Sequence, residues 1–245
     1  MVNYEKAIKK PFTDLTKLVV GTVLSLIPIV NLAVIGYAIE SSGLGKTKDS
    51  KKLPEWKNWS HLFVQGLSAA IINIVYMIPA FLVIMVGVGL VIGDLASIVV
   101  DAMIASELSE IQPGYTLPYP TPSENQEMIR ELIKGNWYLV LPSLIKAAPI
   151  LIVGLLLSLT ATFVSPVAVL HSVKKKKFGA AFDLTSVFKK ACTTEYIITW
   201  IASILIGVII TAILSLIPLI GLALAMFIVW VIKYSLYGDA YREVK

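Results

Sequence analysis

The sequence predicts an all-α fold, a polytopic integral membrane helical bundle with four full transmembrane helices plus an N-terminal re-entrant hairpin or kinked fifth span. Three observations carry this. Of 245 residues, 57% are hydrophobic and only 15% charged, whereas soluble proteins average about a quarter charged; the mean hydropathy is +0.80. Apolar blocks at 15–39, 62–93, 137–173 and 196–237 are each long enough to be tested as spans, because a hydrocarbon core of about 30 Å takes roughly 20 helical residues. No block shows the period-two alternation of a transmembrane β-barrel. Runs of this size leave little room for a second, water-soluble fold, so 1–245 reads as a single integral membrane domain.

The N-terminal lysines Lys6, Lys9, Lys10 and Lys17 before an apolar stretch imitate a secretory signal. The block 15–39 is too long for a signal core and lacks a small-residue cleavage site, which favours mature structure. Basic residues also follow it, at Lys46, Lys48, Lys51, Lys52 and Lys57. Basic flanks are retained on the cytoplasmic side, and one crossing cannot keep both flanks there. A re-entrant hairpin turning at Pro28-Ile29-Val30-Asn31 satisfies both; the alternative is one tilted helix kinked at Pro28, about 37 Å long.

Next, 53–63 is expected as an interfacial helix opened by Pro54, with Trp56 and Trp59 on one face and Phe63 a turn later. These three residues are the candidates for an interfacial anchor or a docking site for a cytoplasmic partner. A span over 64–93 follows, with Gly87, Gly89 and Gly93 letting helices approach closely. The stretch 94–136 is acidic, with Asp94, Asp101, Glu107, Glu110, Glu124, Glu127 and Glu131 against Arg130 and Lys134. It reads as an external loop, Pro-rich at 113–122, although Asp94, Ser97 and Asp101 on one stripe allow a helix up to Glu110.

A span at 147–173 follows Lys146, which is expected to snorkel outward. The cytoplasmic basic loop 174–195 opens with Lys174, Lys175, Lys176 and Lys177, read as topogenic anchors and as candidates for anionic-lipid contact. The final block, interrupted only at Lys233, divides at 215–221 into a helical hairpin of 196–214 and 219–237. Leu24-Ser25-Leu26-Ile27-Pro28 recurs letter for letter as Leu214-Ser215-Leu216-Ile217-Pro218.

Little in the sequence carries chemistry. A single cysteine, Cys192, excludes an intrachain disulfide, and two separated histidines, His61 and His171, make no Cys/His metal set. Gly43-Leu44-Gly45-Lys46-Thr47 imitates a phosphate-binding loop, but Glu40 stands where the pattern needs glycine. Asn58-Trp59-Ser60 fits a glycosylation sequon on the side read as cytoplasmic, so it is accidental. No carboxylate lies inside a span core, which weighs against ion-coupled transport. The basic residues sit in short clusters between apolar runs, so no nucleic-acid partner is expected. No catalytic residue, cofactor or metal site is indicated.

Leu53-Pro54-Glu55-Trp56, then Trp59, Leu62-Phe63, Gly66, Tyr76 and Pro79, with Asn31 and Gly36-Tyr37 upstream and Phe182 and Phe188 after the third block, form the most specific pattern in the chain. It resembles that of an uncharacterised, mostly archaeal multi-pass membrane family, domain-of-unknown-function family 4013. The resemblance implies architecture and an archaeal origin, and no functional residue. The expectation is a non-enzymatic, multi-pass cell-membrane protein with both termini cytoplasmic. Its partners would be the lipid bilayer and other membrane-protein subunits, for which it would serve as a scaffold or accessory subunit. The alternative is a small permease or channel for a neutral or apolar solute.

Overall fold

The computed structural model describes residues 2–46, 52–111, 141–218 and 220–243. The helices are α1 (Tyr4–Lys9), α2 (Leu15–Ser25), α3 (Asn31–Glu40), α4 (Trp59–Ile111), α5 (Leu141–Lys175), α6 (Leu184–Ala191), α7 (Thr194–Leu214) and α8 (Gly221–Glu243), with 3₁₀ turns at Lys10–Thr13 and Phe178–Phe182. Among the described residues there is no strand. Among the described residues four helical stretches are long and apolar enough to cross a membrane: Trp59–Ser97, Leu141–Lys175, Thr194–Leu214 and Gly221–Glu243. The chain divides into two compact units, Met1–Tyr76 with Thr160–Lys245, and Met77–Leu159.

The first unit is built around α8. It buries 67% of its most apolar stretch, against 17% for its hairpin partner α7. Phe227, Ile228, Val231, Ile232 and Leu236 are fully buried, at the three- and four-residue spacing that points one helix face inward. α2 crosses this face so closely that a Cβ on Gly21 would meet the Phe227 ring at 2.2 Å. At the far end, a Cβ on Gly238 would lie 2.3 Å from Ser42 O. Arg242 Nη1 there donates to the same Ser42 carbonyl at 2.7 Å.

The block 15–39 is two helices, of 11 and 10 residues, each short of the roughly 20 that a full crossing takes. Asp14 caps α2 by accepting from Lys17 N at 3.1 Å. The chain then reverses, and both arms end against 53–55. Lys17 Nζ donates to Leu53 O at 3.4 Å and to Glu55 Oε1 at 2.6 Å, and the Tyr37 hydroxyl donates to Pro54 O at 2.9 Å. Lys10, fully buried, donates its Nζ to Ser41 O, which closes the open end of the hairpin.

These contacts correct one expectation. Residues 53–58 are not the start of an interfacial helix; α4 begins at Trp59, and its first bond runs from Leu62 N to Asn58 O at 3.0 Å. The carbonyls of Leu53 and Pro54, which would begin an i→i+4 ladder, are taken by Lys17 and Tyr37 instead. The acidic stretch opens as the helix that its polar stripe allowed rather than as loop from Asp94: α4 runs on through 94–111, since no proline occurs after Pro79 until Pro113; 112–136 lies outside the described residues. The basic stretch 174–195 also holds more structure than a loop. It contains the 3₁₀ turn Phe178–Phe182 and α6, whose first turn is capped by Asp183, accepting from Ser186 N at 3.2 Å.

α3 and α4 meet at two glycines. A Cβ on Gly36 would sit 1.9 Å from Leu62 O, and one on Gly66 would sit 1.7 Å from Leu32 O. Here backbone lies on backbone, and no side-chain rotation can make room. The two Leu-Ser-Leu-Ile-Pro segments form the same turn. Leu26 N bonds to Val23 O, Ile27 N to Leu24 O and Asn31 N to Ile27 O. In register, Leu216 N bonds to Ile213 O, Ile217 N to Leu214 O and Gly221 N to Ile217 O. Each proline stands three residues before the next helix starts.

In the second unit a Cβ on Gly87 would lie 2.7 Å from Leu151 Cδ2, and one on Gly154 would lie 2.5 Å from Ile84 Cγ1, so α4 and α5 pack closely there. Gly89 and Gly93 have nothing within 4 Å. Lys146 does not simply snorkel: its Nζ pairs with Asp94 Oδ2 at 3.0 Å.

Replacing Gly66 with alanine is expected to cost at least about 2 kcal/mol of stability or to prevent folding, because two helix backbones must separate. Gly89→Ala, in open space, is expected to leave the melting temperature unchanged or slightly raised. Thermal unfolding of both variants in mild detergent checks this.

Candidate functional site

The lysines that the sequence places in separate clusters converge at one end of the first unit. α3 ends at Glu40, and 41–46 turns back across it; α4 contributes His61, Gln65 and Ser68 from its opening turns; α5 ends in its lysine run; Arg242 comes from the last turn of α8. Together they line a cleft of about 960 Å³ whose rim carries Lys46, Lys174, Lys176, Lys177 and Arg242. A smaller hollow of about 450 Å³ shares Leu44, Lys174 and Arg242 with it and adds His171, Lys175, Ser186, Lys189 and Lys190.

The floor of the larger cleft is polar. Glu40 is 2% exposed, its Oε1 lies 3.0 Å from His61 Nε2, and Lys46 N donates to the same oxygen at 3.3 Å. The glycine-rich loop therefore wraps this chain's own carboxylate. A Cβ on Gly45 would strike Glu40 Oε1 at 2.3 Å, and Gly43 turns with φ of 71°. Gln65, 9% exposed, lines the cleft with its Oε1 unmatched by any hydrogen-bond donor among the described residues. A buried amide left in that state carries a cost that a ligand donor or a turned amide can remove.

The rim is strained as well as charged. α5 ends in a Schellman turn: Lys177 N bonds to Ser172 O at 3.1 Å and Lys176 N to Val173 O at 3.2 Å. The residue in the left-handed position of that turn is Lys176, with φ of 53°. Glycine is favoured there, and a side chain costs roughly 1 kcal/mol or more. In the smaller hollow, His171 Nδ1 lies 2.7 Å from the Tyr241 hydroxyl, and Lys190 Nζ sits 4.8 Å from the centre of the Tyr241 ring. Burial, with Lys189 and Lys175 nearby, pushes the Lys190 ammonium below its ordinary pKa. An anion placed among these lysines reverses the repulsive part of that shift.

All four lysines named from the sequence line these cavities: Lys174, Lys176 and Lys177 the larger, Lys174 and Lys175 the smaller. Trp56, Trp59 and Phe63 line neither. Trp56 stacks between Tyr37, at 3.9 Å, and Trp59, at 5.4 Å. Phe63 packs on the buried core and Trp59 is exposed. Sequence reading missed Glu40, His61, Gln65 and Arg242 as neighbours. Their only shared signal is a place within a turn or so of a helix end, which many surface residues have. Among the described residues no group of side chains could hold a metal ion.

The pattern of the family described as a protein of unknown function, DUF4013, matches residues 20–219. The chain belongs to the DUF4013 family. No curated protein and no solved structure is similar to it. The matched region holds the hairpin from residue 20 on, the glycine crossing and the cleft apart from Arg242. Within this DUF4013 chain, the residues of the sequence pattern form joints between elements. Gly36 meets Leu62 and Gly66 meets Leu32, Tyr37 holds Pro54 and Trp56, and Tyr76 donates its hydroxyl to Ala181 O at 2.7 Å while stacking on Phe182.

α6 forms a wall of the smaller hollow, and its cap titrates. Hydrogen bonds from the Ser186 side chain and backbone N–H hold the Asp183 carboxyl below the usual range. A lowered folded-state value means that the cap's contribution is complete above the ordinary carboxylate pKa and is lost as pH falls through the lowered one. Hydrogen exchange of the α6 amides, corrected for intrinsic rates, is expected to be constant from pH 7 to 5 and to accelerate only below about pH 4. In Asp183→Ala it should be fast at every pH.

Proposed function

We propose that this membrane protein is a non-enzymatic scaffold or accessory subunit that grips an anionic, phosphate-bearing lipid headgroup in its basic cleft on the cytoplasmic face of the cell membrane. One observation carries the reading: Lys46, Lys174, Lys176, Lys177 and Arg242, drawn from three separate parts of the chain, rim a single cleft. Topogenic lysines need only be on the right side of the membrane. They need not converge, and none needs to occupy a strained left-handed position. Anionic lipids enrich the cytoplasmic leaflet and attract each nearby lysine by about 1 kcal/mol. The polar floor of Glu40, His61 and Gln65 gives the hydroxyls of a headgroup both donors and acceptors.

A second reading, a small permease for a neutral or apolar solute, is favoured by the matched turns at 26–30 and 215–220, because paired proline-broken hairpins recur in transporters. Solute flux into liposomes containing this chain alone is its test.

For the first reading, binding of a fluorescent phosphatidylglycerol to purified protein in mild detergent is the measurement. Lys174, Lys176 and Lys177 changed together to glutamine are expected to weaken binding on the order of a hundredfold, with phosphatidylcholine unaffected throughout. Competition by soluble glycerol phosphate separates headgroup recognition from acyl-chain contact. Equal binding by the triple variant overturns the reading. Lys176→Gly alone is expected to raise stability by about 1 kcal/mol while weakening binding, the opposite signs marking a residue kept for its charge.

A further inference from the structure

Two lysines interrupt the apolar blocks, and the structure treats them differently. Lys146 has a carboxylate, Asp94, at 3.0 Å on the neighbouring helix. Lys233 has none: among the described residues it makes no ion pair or hydrogen bond. It stands 12 residues after Gly221 and 10 before Glu243 in α8, or about 18 and 15 Å from the two helix ends at 1.5 Å per residue. That is close to the middle of a hydrocarbon core about 30 Å thick.

Snorkelling does not solve its problem. Helix side chains lean toward the N-terminus, so Lys233 leans away from the nearer, C-terminal end of α8. Its stem lies over α7 instead, where a Cβ on Gly207 would be 3.5 Å from Lys233 Cε and 4.0 Å from Nζ. Lys233 also belongs to the one stripe of α8 that the described residues leave partly open, beside the edge where Val229 and Lys233 pack on Gly207. Leu222 and Met226 are exposed and Val229, Trp230 and Lys233 half-buried, at spacings of four, three, one and three residues. Apart from half-buried Leu224 and Asp239 and the exposed end at Arg242 and Glu243, the rest of the helix is buried. An ammonium in hydrocarbon is expensive unless paired, and intramembrane charges accordingly face partners or water-filled cavities.

We infer that the Leu222–Met226–Val229–Trp230–Lys233 stripe of α8 is the docking face for a transmembrane helix of another protein, one that carries a carboxylate at mid-span to pair with Lys233. The inference rests on the accessory-subunit reading and names the partner's chemistry. A second copy of this chain does not fit. Its described carboxylates in the candidate spans are Asp94, paired with Lys146, and Glu195, Asp239 and Glu243 near helix ends.

The test uses the full chain in nanodiscs, with a donor dye on its single, exposed cysteine, Cys192. The acceptors are three poly-leucine transmembrane peptides that differ only at the centre, where they carry aspartate, asparagine or leucine. Energy transfer is expected to show the aspartate peptide binding about tenfold more tightly than the leucine peptide. That preference should vanish in Lys233→Met and persist in Lys233→Arg, with circular dichroism and melting temperature confirming that both variants are folded. Equal binding of the three peptides to the unaltered chain overturns the inference, as does an aspartate preference that survives Lys233→Met. Titration of phosphatidylglycerol in the same nanodiscs reads the cleft independently, so failure of the headgroup reading and failure of the docking face give different results.

Discussion

Two glycines facing each other set the geometry of the first unit. At Gly36 and Gly66 the backbones of α3 and α4 touch without an intervening side chain, each glycine against a leucine carbonyl of the other helix. Everything on the basic end of the unit follows from how close that crossing is. It sets Tyr37, one residue on, under Trp56, and it sets His61, five residues before Gly66, beside Glu40. A wider crossing would leave Glu40 without His61 and Gln65 outside the cleft. The opening turns of α4 and the end of α3 behave as one joint, with 53–58 strapped across it by Lys17 and Tyr37. A strap made from backbone carbonyls resists substitution at its own positions, since any residue supplies a carbonyl. It depends instead on the distant donors that reach it.

The elements legible in the sequence were those whose cause is local. Length and apolar composition place the four long helices, and Pro28 and Pro218 place the two turns. At the glycine-rich stretch that opens at Gly43, Glu40 stands where a phosphate loop needs glycine, and that Gly45 and Lys46 wrap this carboxylate could not be read from sequence. What failed were inferences whose cause is remote. Pro54 followed by tryptophans three apart looks like a helix start, and nothing nearby reveals that Lys17 and Tyr37 claim the carbonyls that helix would need. In the same way, Lys174–Lys177 could be read as basic but not as one wall of a cleft, because Lys46 and Arg242 join them only through tertiary structure. Lys233 was visible as an interruption. Its isolation was not, since the pairing of Lys146 with Asp94 shows that two such lysines can have opposite circumstances.

The site trades local stability for charge. Lys176 holds a left-handed turn that glycine would hold without strain, and Gln65 leaves an oxygen unmatched. Lys190 is kept beside Lys189 and Lys175, where burial and those two charges hold its ammonium below its ordinary pKa. In a fold with abundant apolar burial these are small debits, and they are grouped where the helices end rather than spread through the core.

The paired turns bear on how the chain reaches the bilayer. Their tips are apolar and open: Ile29 is 71% exposed and Leu216 82%, and the residues 26–30 and 215–220 include no charged side chain. Each hairpin can thus be pushed in tip first from one face, with its lysine-bearing ends left behind, and no ionised group at the tip has to be carried through hydrocarbon. Lys233 apart, the energetic barrier to installing these pairs is that of desolvating two turns of backbone, much of it already hydrogen-bonded within the turn. Biogenesis of these two pairs is in this respect a problem of folding back rather than of translocation.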